Sequence, residues 1–235
     1  MQETNTQVRR RRGKGAGGRP RKLSQEAVVS AAEQLIRREG TQALTLRALA
    51  AQLGVQAPTL YTYFSNLEEI EEAALQGIFG SMPTPDLSRA EPLGQQLFEM
   101  FLAIRELRLR SPGALTGVPG SAAWHWEIKL VNQLLKTFSE IGVDDFRTLL
   151  AYRTLLGLTA SDARAEERNA DRQVEEALIP TLPESEAGYI QRLFRNVPDW
   201  VQQTGAERFR QIFTALVELL LPQVIQYDAR RQPGA

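Results

Sequence analysis

Between Thr45 and Phe64 the chain reads TLRALAAQLGVQAPTLYTYF, and its polar side chains are of the kinds that grip bases and phosphates rather than the kinds that break bonds. Arg47 is the one nearby residue able to hold a guanine edge with two parallel hydrogen bonds. Ala57 and Thr59 suit contact with thymine methyl groups. Tyr61 and Tyr63 carry hydroxyls that can bond to phosphate, which positions a protein without reading sequence. Residues that suggest catalysis are scarcer. The pairs Asp144–Asp145 and Glu166–Glu167 read as a helix cap and a solvated face, not as acid–base partners. The chain has no cysteine and a single histidine, His125, so thiol catalysis, disulfides and multi-residue Cys/His metal sites are excluded. No nucleophile elbow, phosphate loop or dinucleotide fingerprint occurs. No metal, no cofactor and no enzymatic activity are therefore expected.

The formal net charge of zero hides a division. Residues 1–65 hold eleven Lys and Arg against four Glu, a surplus of +7, and residues 66–235 hold seventeen against twenty-four acids, a deficit of −7. A basic third on an acidic remainder suits a protein that meets phosphate at one end only. The surplus lies mainly in Arg9 to Arg12, Lys14, Arg19, Arg21 and Lys22. With almost nothing apolar to bury and like charges repelling, residues 1–22 are expected to be a disordered basic arm.

The elements that must position these groups are all helical by pattern. Ser24 is a good N-cap, and Ala27, Val28, Ala31, Leu35 and Ile36 recur at helical spacing until Gly40. Thr45 caps a second, shorter helix over Leu46, Leu49, Ala50 and Leu53, ended by Gly54. After three or four residues Pro58 opens a third, which runs to about Tyr63. Asn66 caps a fourth whose first turns carry Glu68, Glu69, Glu71 and Glu72. Two helices joined by a short glycine turn, the second rich in hydroxyl and aromatic groups, have the layout of a DNA-reading helix-turn-helix.

A domain boundary is expected at residue 80, with Gly80, Pro83 and Pro85 breaking the pattern. Residues 23–80 then form a three-helix DNA-binding unit extended by the fourth helix, and residues 81–235 a larger helical domain. The periodicity predicts helices from about Ser88 to Arg110, from Ser121 to Gly142, and from Asp144 or Asp145 past Leu156. It predicts a charged mobile connector over Ser161 to Pro183, a helix near Glu184 to Asn196, and a last helix from Thr204 to Gln226 kinked at Pro222. No apolar run reaches the roughly 18 residues that span a bilayer, and no apolar leader opens the chain, so a cytoplasmic protein without membrane contact is expected.

The segments ALTLR at 43–47 and LGVQAPTLYTYFSN at 53–66 resemble the TetR family of repressors. The resemblance runs over about Lys22 to Phe79, and beyond that it is architectural. It implies a homodimer whose two recognition helices read the half-sites of a palindromic operator on double-stranded DNA, released when a small molecule enters the second domain. It places Arg47, Ala57, Pro58, Thr59, Tyr61 and Tyr63 at DNA-facing positions. One residue departs from the pattern: many members have lysine after the Asn of this stretch, and here Leu67 stands there. The backbone N–H groups opening the fourth helix are left to hold phosphate alone. The arm compensates, with Arg19, Arg21 and Lys22 as its DNA contacts. Its Gly18-Arg19-Pro20-Arg21 resembles an AT-hook core, which places arginines in a narrow minor groove, against plain attraction to phosphate as the alternative.

For the effector, an apolar pocket is expected among the helices after the junction, lined by Phe98, Phe101, Arg105, Trp124, His125 and Leu134. His125 between two tryptophans suits an aromatic ligand, although a lone histidine on a helix is commonly structural. The dimer seam is expected from the helix after Asp145 and the last helix, as a four-helix bundle. The competing readings are a DNA-binding factor without an effector and a helical ligand-binding protein or enzyme.

Overall fold

The computed structural model describes residues 23–167, 181–185, 191–192 and 205–231. Its helices are α1 (Gln25–Glu39), α2 (Leu46–Leu53), α3 (Ala57–Leu60), α4 (Leu67–Gly80), α5 (Leu93–Arg110), α6 (Ala122–Glu140), α7 (Asp145–Glu167), α8 (Gly205–Leu220) and α9 (Pro222–Arg231), with a 3₁₀ turn at Thr41–Ala43. Among the described residues there is no strand. None of the helices there is long and apolar enough to cross a membrane.

Helix starts follow local chemistry. Side-chain oxygens of Ser24, Thr45, Asn66 and Ser121 accept from the backbone N–H three residues on, at 3.2, 3.1, 2.8 and 3.3 Å. Each such cap satisfies a donor that the helix cannot, and contributes about 1 kcal/mol. Asp144 does the same for α7, accepting from Arg147 N at 2.8 Å. Gly40 ends α1 with φ 87° and ψ 169°, outside the left-handed helical region that a C′ glycine usually takes. Space is the second reason for glycine there, because an added Cβ would run into the carbonyl oxygen of Arg110.

Two cores form. The first joins Val28, Ile36, Leu49, Leu60 and Ile78 of α1 to α4 with Leu107, Ala114, Ala122 and Ala123, which come from beyond residue 80. The second centres on Phe98 and Phe101 of α5, Leu134 and Phe138 of α6, Tyr152 and Leu155 of α7, and Phe209 and Phe213 of α8. Phe98 meets Phe213 edge-on at 5.5 Å, an arrangement that adds to the roughly 1.5–3 kcal/mol of burying each ring. Met82, Leu115 and Trp126 pack against both cores.

The second unit differs from the pattern-based expectation in three places. Helix α5 starts at Leu93, not Ser88, because Pro92 is extended at ψ 139° and stands at the cap. The orphan N–H groups of Leu93 and Gly94 are satisfied by the Asp228 carboxylate of α9, at 2.6 and 2.8 Å. Helix α7 continues unbroken through Gly157 to Glu167, where a mobile connector from Ser161 is expected. Thr159 and Ala163 turn inward, and Asp162 and Glu166, one turn apart, hold Arg105 of α5 at 2.5 and 3.1 Å. The third is the last helix, which is two helices: Pro222, lacking an N–H, serves as the first residue of α9 and not as a kink. The expected arm over 1–22 lies outside the described residues, as do 168–180 and most of the helix expected near Glu184 to Asn196.

Candidate nucleic-acid interface

The turn between α2 and α3 is made by backbone alone. Gly54 takes φ 68° and ψ 31°, the Val55 N–H donates to Ala50 O at 3.0 Å, and the Gly54 N–H donates to Ala51 O at 3.3 Å. That double closure stops α2 and redirects the chain within two residues. Ala50 is buried beneath it. Gln56 then stands extended at the start of α3, and its side chain makes no cap bond. Regular α-helix lasts only to Leu60. The coil continues by tighter bonds, Tyr61 N to Pro58 O at 3.3 Å, Thr62 N to Thr59 O at 3.2 Å and Tyr63 N to Leu60 O at 2.9 Å, so the recognition segment reaches Tyr63 in 3₁₀-like form.

Leu60 and Phe64 anchor this segment in the first core. The opposite side presents Pro58, Thr59, Tyr61 and Thr62, with Arg47 and Gln56 beside them, all exposed. Tyr61 is 56% exposed. Ala57 and Tyr63 are only partly exposed. Gln56 and Thr62 are additions to the sequence-derived set. An exposed amide at the first turn of a recognition helix has the donor and acceptor needed for adenine, and that position was legible from Pro58 as the helix start.

Tyr63 is committed elsewhere than expected. Its hydroxyl donates to the Leu23 carbonyl at 2.8 Å, and its own carbonyl accepts from Gln25 Nε2 at 3.1 Å. The residue that follows Lys22 is thus tied beside α3. Arg19, Arg21 and Lys22 themselves lie outside the described residues.

The start of α4 is likewise less open than expected. Glu69 N donates to Asn66, and Ser65 N donates to the Glu69 carboxylate at 2.7 Å, a reciprocal cap that consumes two donors. Leu67 is half-buried and packs on the first core. It serves that core in place of a phosphate clamp.

Residues 28–74, spanning α1 to α4, match the family profile described as bacterial regulatory proteins, tetR family. Residues 28–74 thus form a TetR-family domain. Over 55 residues it is 46% identical to an uncharacterized HTH-type transcriptional regulator of Mycobacterium tuberculosis, a match covering 23% of this chain and 25% of that protein. The chain thus spans about a quarter of the length of the first curated relatives it matches. A longer match, 28% identical over 199 residues, covers 78% of the chain and 87% of the tetracycline repressor protein class C of Escherichia coli. The fold is shared with solved structures. The Streptomyces coelicolor TetR family protein ActR in complex with actinorhodin aligns over 86% of this chain and 96% of its own at 20% identity, with a TM-score of 0.58.

The residues expected to line an effector pocket do not share one hollow among the described residues. Phe98, Phe101 and Leu134 are side chains of the second core. Arg105 is buried in the ion cluster with Asp162 and Glu166, its guanidinium 5.7 Å from the Phe209 ring centre. Trp124 and His125, neighbours on α6, open onto different hollows. Trp124 lines one of about 400 Å³ with Ile128, Leu135 and Arg153, and His125 lines one of about 340 Å³ between α4 and α6. Composition shows which residues are aromatic, but not which of them the core consumes.

The structure adds polar groups that pattern did not single out. Tyr152 donates to Glu127 at 3.0 Å, and burial, then the Glu127 charge, holds its phenol well above the ordinary range. Burial also pulls the Arg108 guanidinium down, and its Nε is buried without a partner.

Two sets of contacts join the DNA-binding unit to the rest. At one, the Phe79 ring of α4 stacks on Trp126 of α6, centroids 5.1 Å apart and planes 21° apart. At the other, the Thr41 N–H donates to Ser111 Oγ at 2.9 Å and Arg110 reaches the Arg37 carbonyl at 3.0 Å. Through the first of these α4 rests directly on α6.

Proposed function

We propose that this protein is a homodimeric transcriptional repressor that holds a palindromic operator and releases it when a small-molecule effector binds. The observation that carries the reading is the α2–Gly54–α3 unit, which presents Arg47, Gln56, Pro58, Thr59 and Tyr61 on one exposed side above the buried Leu60 and Phe64. Such a segment fits the major groove, with Arg47 and Gln56 for base edges, Ala57 and Thr59 for thymine methyls, and Tyr61 for phosphate. Tyr63 acts through Leu23, aiming the arm, whose Arg19, Arg21 and Lys22 displace counterions from the backbone.

A dimer is supported by apolar side chains left in water. Phe146, Leu149 and Leu150 of α7 are 77%, 40% and 45% exposed, and Leu219 of the adjacent α8 is 74% exposed. Covering them with the same surface of a second copy gives a four-helix seam. Two recognition segments then stand about one DNA turn, roughly 34–36 Å, apart in the state that binds. An effector that prefers a different spacing lowers operator affinity, and operator weakens effector binding by the same factor. The names of the relatives support this reading, since one is a tetracycline repressor and another was solved with actinorhodin.

Footprinting of the DNA flanking its own gene tests the proposal, with wild type compared with a chain lacking residues 1–18. Both are expected to protect an inverted repeat, the shortened chain more weakly and with a flatter salt dependence. Protection that shows no two-fold symmetry at any salt concentration would overturn it.

A further inference from the structure

The hollow between α4 and α6 has the composition of a ligand site. Its volume, about 340 Å³, falls within the range of small-molecule pockets. Gln76 and Phe79 come from α4, and His125, Trp126 and Lys129 from α6. The Phe79–Trp126 stack supplies a flat apolar surface. The Trp126 indole N–H is buried and finds no acceptor among the described residues, a state that folded proteins seldom leave standing.

The polar side chains that line the hollow are a histidine, a lysine and an amide. His125 and Lys129 stand one helical turn apart on α6, both exposed. His125 Nδ1 lies 3.0 Å from the Ser121 carbonyl oxygen, so that nitrogen carries the proton and the ring is held in place. Lys129 has no carboxylate partner among the described residues, and Gln76, across from it, is a neutral amide with two donors. Among the described residues no acid lines the hollow, although residues 66–235 carry seven more acids than bases. A solvated lysine needs no ligand, but a lysine at the rim of an aromatic cleft without any acid is suited to an anion with a flat body.

We propose that this cleft binds an aromatic carboxylate, whose ring lies against the Phe79–Trp126 stack and whose carboxylate pairs with Lys129 and accepts from Gln76. The lining of the cleft includes neither Phe98 nor Phe101 of the second core. Its regulatory consequence rests on the repressor reading above: the ligand touches the last turn of α4 and its support on α6 together, so binding changes the seat of the DNA-binding unit.

Calorimetric titration of the full chain with 2-naphthoate and with its neutral amide tests this directly. Naphthoate is expected to bind with 1:1 stoichiometry per chain, and the amide at least tenfold more weakly. Lys129→Gln should weaken naphthoate at least tenfold and Lys129→Arg restore most of it. Arg153→Gln, on α7 where it lines the neighbouring hollow, should leave it unchanged. Lys129 is exposed, so its variants fold. Absence of naphthoate binding at millimolar concentration, equal binding of the amide, or indifference to Lys129→Gln would overturn the site. The same titration followed by anisotropy of a labelled operator separates the two claims. Lys129-dependent binding that leaves operator affinity unchanged upholds the site and overturns its role as the effector site.

Discussion

The rings of Phe79 and Trp126, 5.1 Å apart and 21° from parallel, are where the helix that closes the DNA-binding unit rests on the larger unit. Trp126 also packs on both cores, as Met82 and Leu115 do, and it is the largest side chain of the three. Trp126→Ala is expected to cost about 2–4 kcal/mol and to split urea denaturation into two steps, the first belonging to α1 to α4. Trp126→Phe keeps the stack, removes the unpaired N–H and should cost less than about 1.5 kcal/mol. A single unsplit transition in Trp126→Ala, followed by circular dichroism, would show that the stack does not join the units.

Tyr61 and Tyr63 lie two residues apart and are expected to act differently. Tyr63→Phe loses the bond to the Leu23 carbonyl and should lower stability by about 0.5–1.5 kcal/mol. Tyr61, more than half exposed, should lose nothing in stability as phenylalanine but should weaken operator binding severalfold, with a smaller salt slope. Thermal denaturation beside operator titration at two salt concentrations separates them, and equal effects of both changes would refute the division.

The Arg105 cluster gives a prediction about stability alone. Its guanidinium is 6% exposed and Asp162 is 12% exposed, so removing the cation strands a carboxylate that water reaches poorly. Arg105→Met should cost about 3 kcal/mol in urea denaturation. Replacing Arg105, Asp162 and Glu166 together by apolar residues should recover most of it, because no buried charge is then left unpaired. If the triple variant is as unstable as the single one, the cluster is holding α5 and α7 by geometry rather than by charge balance.

Tyr152 sets a pH dependence. Its folded phenol stays protonated above the ordinary value of about 10, so above that pH the folded state holds a proton that the unfolded chain releases. The contribution is fully present below pH 10 and declines as pH rises beyond it. Tyr152→Phe should remove this part of the alkaline loss of stability, and a late step in phenolate absorbance should be lost with it. An unchanged stability slope between pH 10 and 11 in the variant would contradict the assignment.

What was legible in the sequence was what short-range chemistry decides. Ser24, Thr45, Asn66 and Ser121 announce helix starts because an N-cap needs only the next three residues. Ala50, Gly54 and Val55 announce the turn because its bonds close within six. The misreadings have long-range causes. The acids after Ser161 look solvated until Arg105, 57 residues earlier, meets Asp162. Pro92 gives no sign that Asp228, more than 130 residues away, caps α5. Tyr63 has the side chain of a phosphate binder, and only the path of the chain at Leu23 takes its hydroxyl. The six residues expected around an effector were chosen by type, and four of them are used by the second core and its ion cluster.

Selection of duplexes from a random pool by the full chain, followed by sequencing and by sedimentation of the selected complex, tests the central claim most directly. The account predicts an inverted repeat with half-site centres about 10 base pairs apart, or a multiple of that turn, bound by chains in even number. It also predicts that Arg47→Ala relaxes the preference at one base pair in each half-site and costs about 1–3 kcal/mol. Enrichment of no sequence at all, or of a site without two-fold symmetry bound by a single chain, would contradict it.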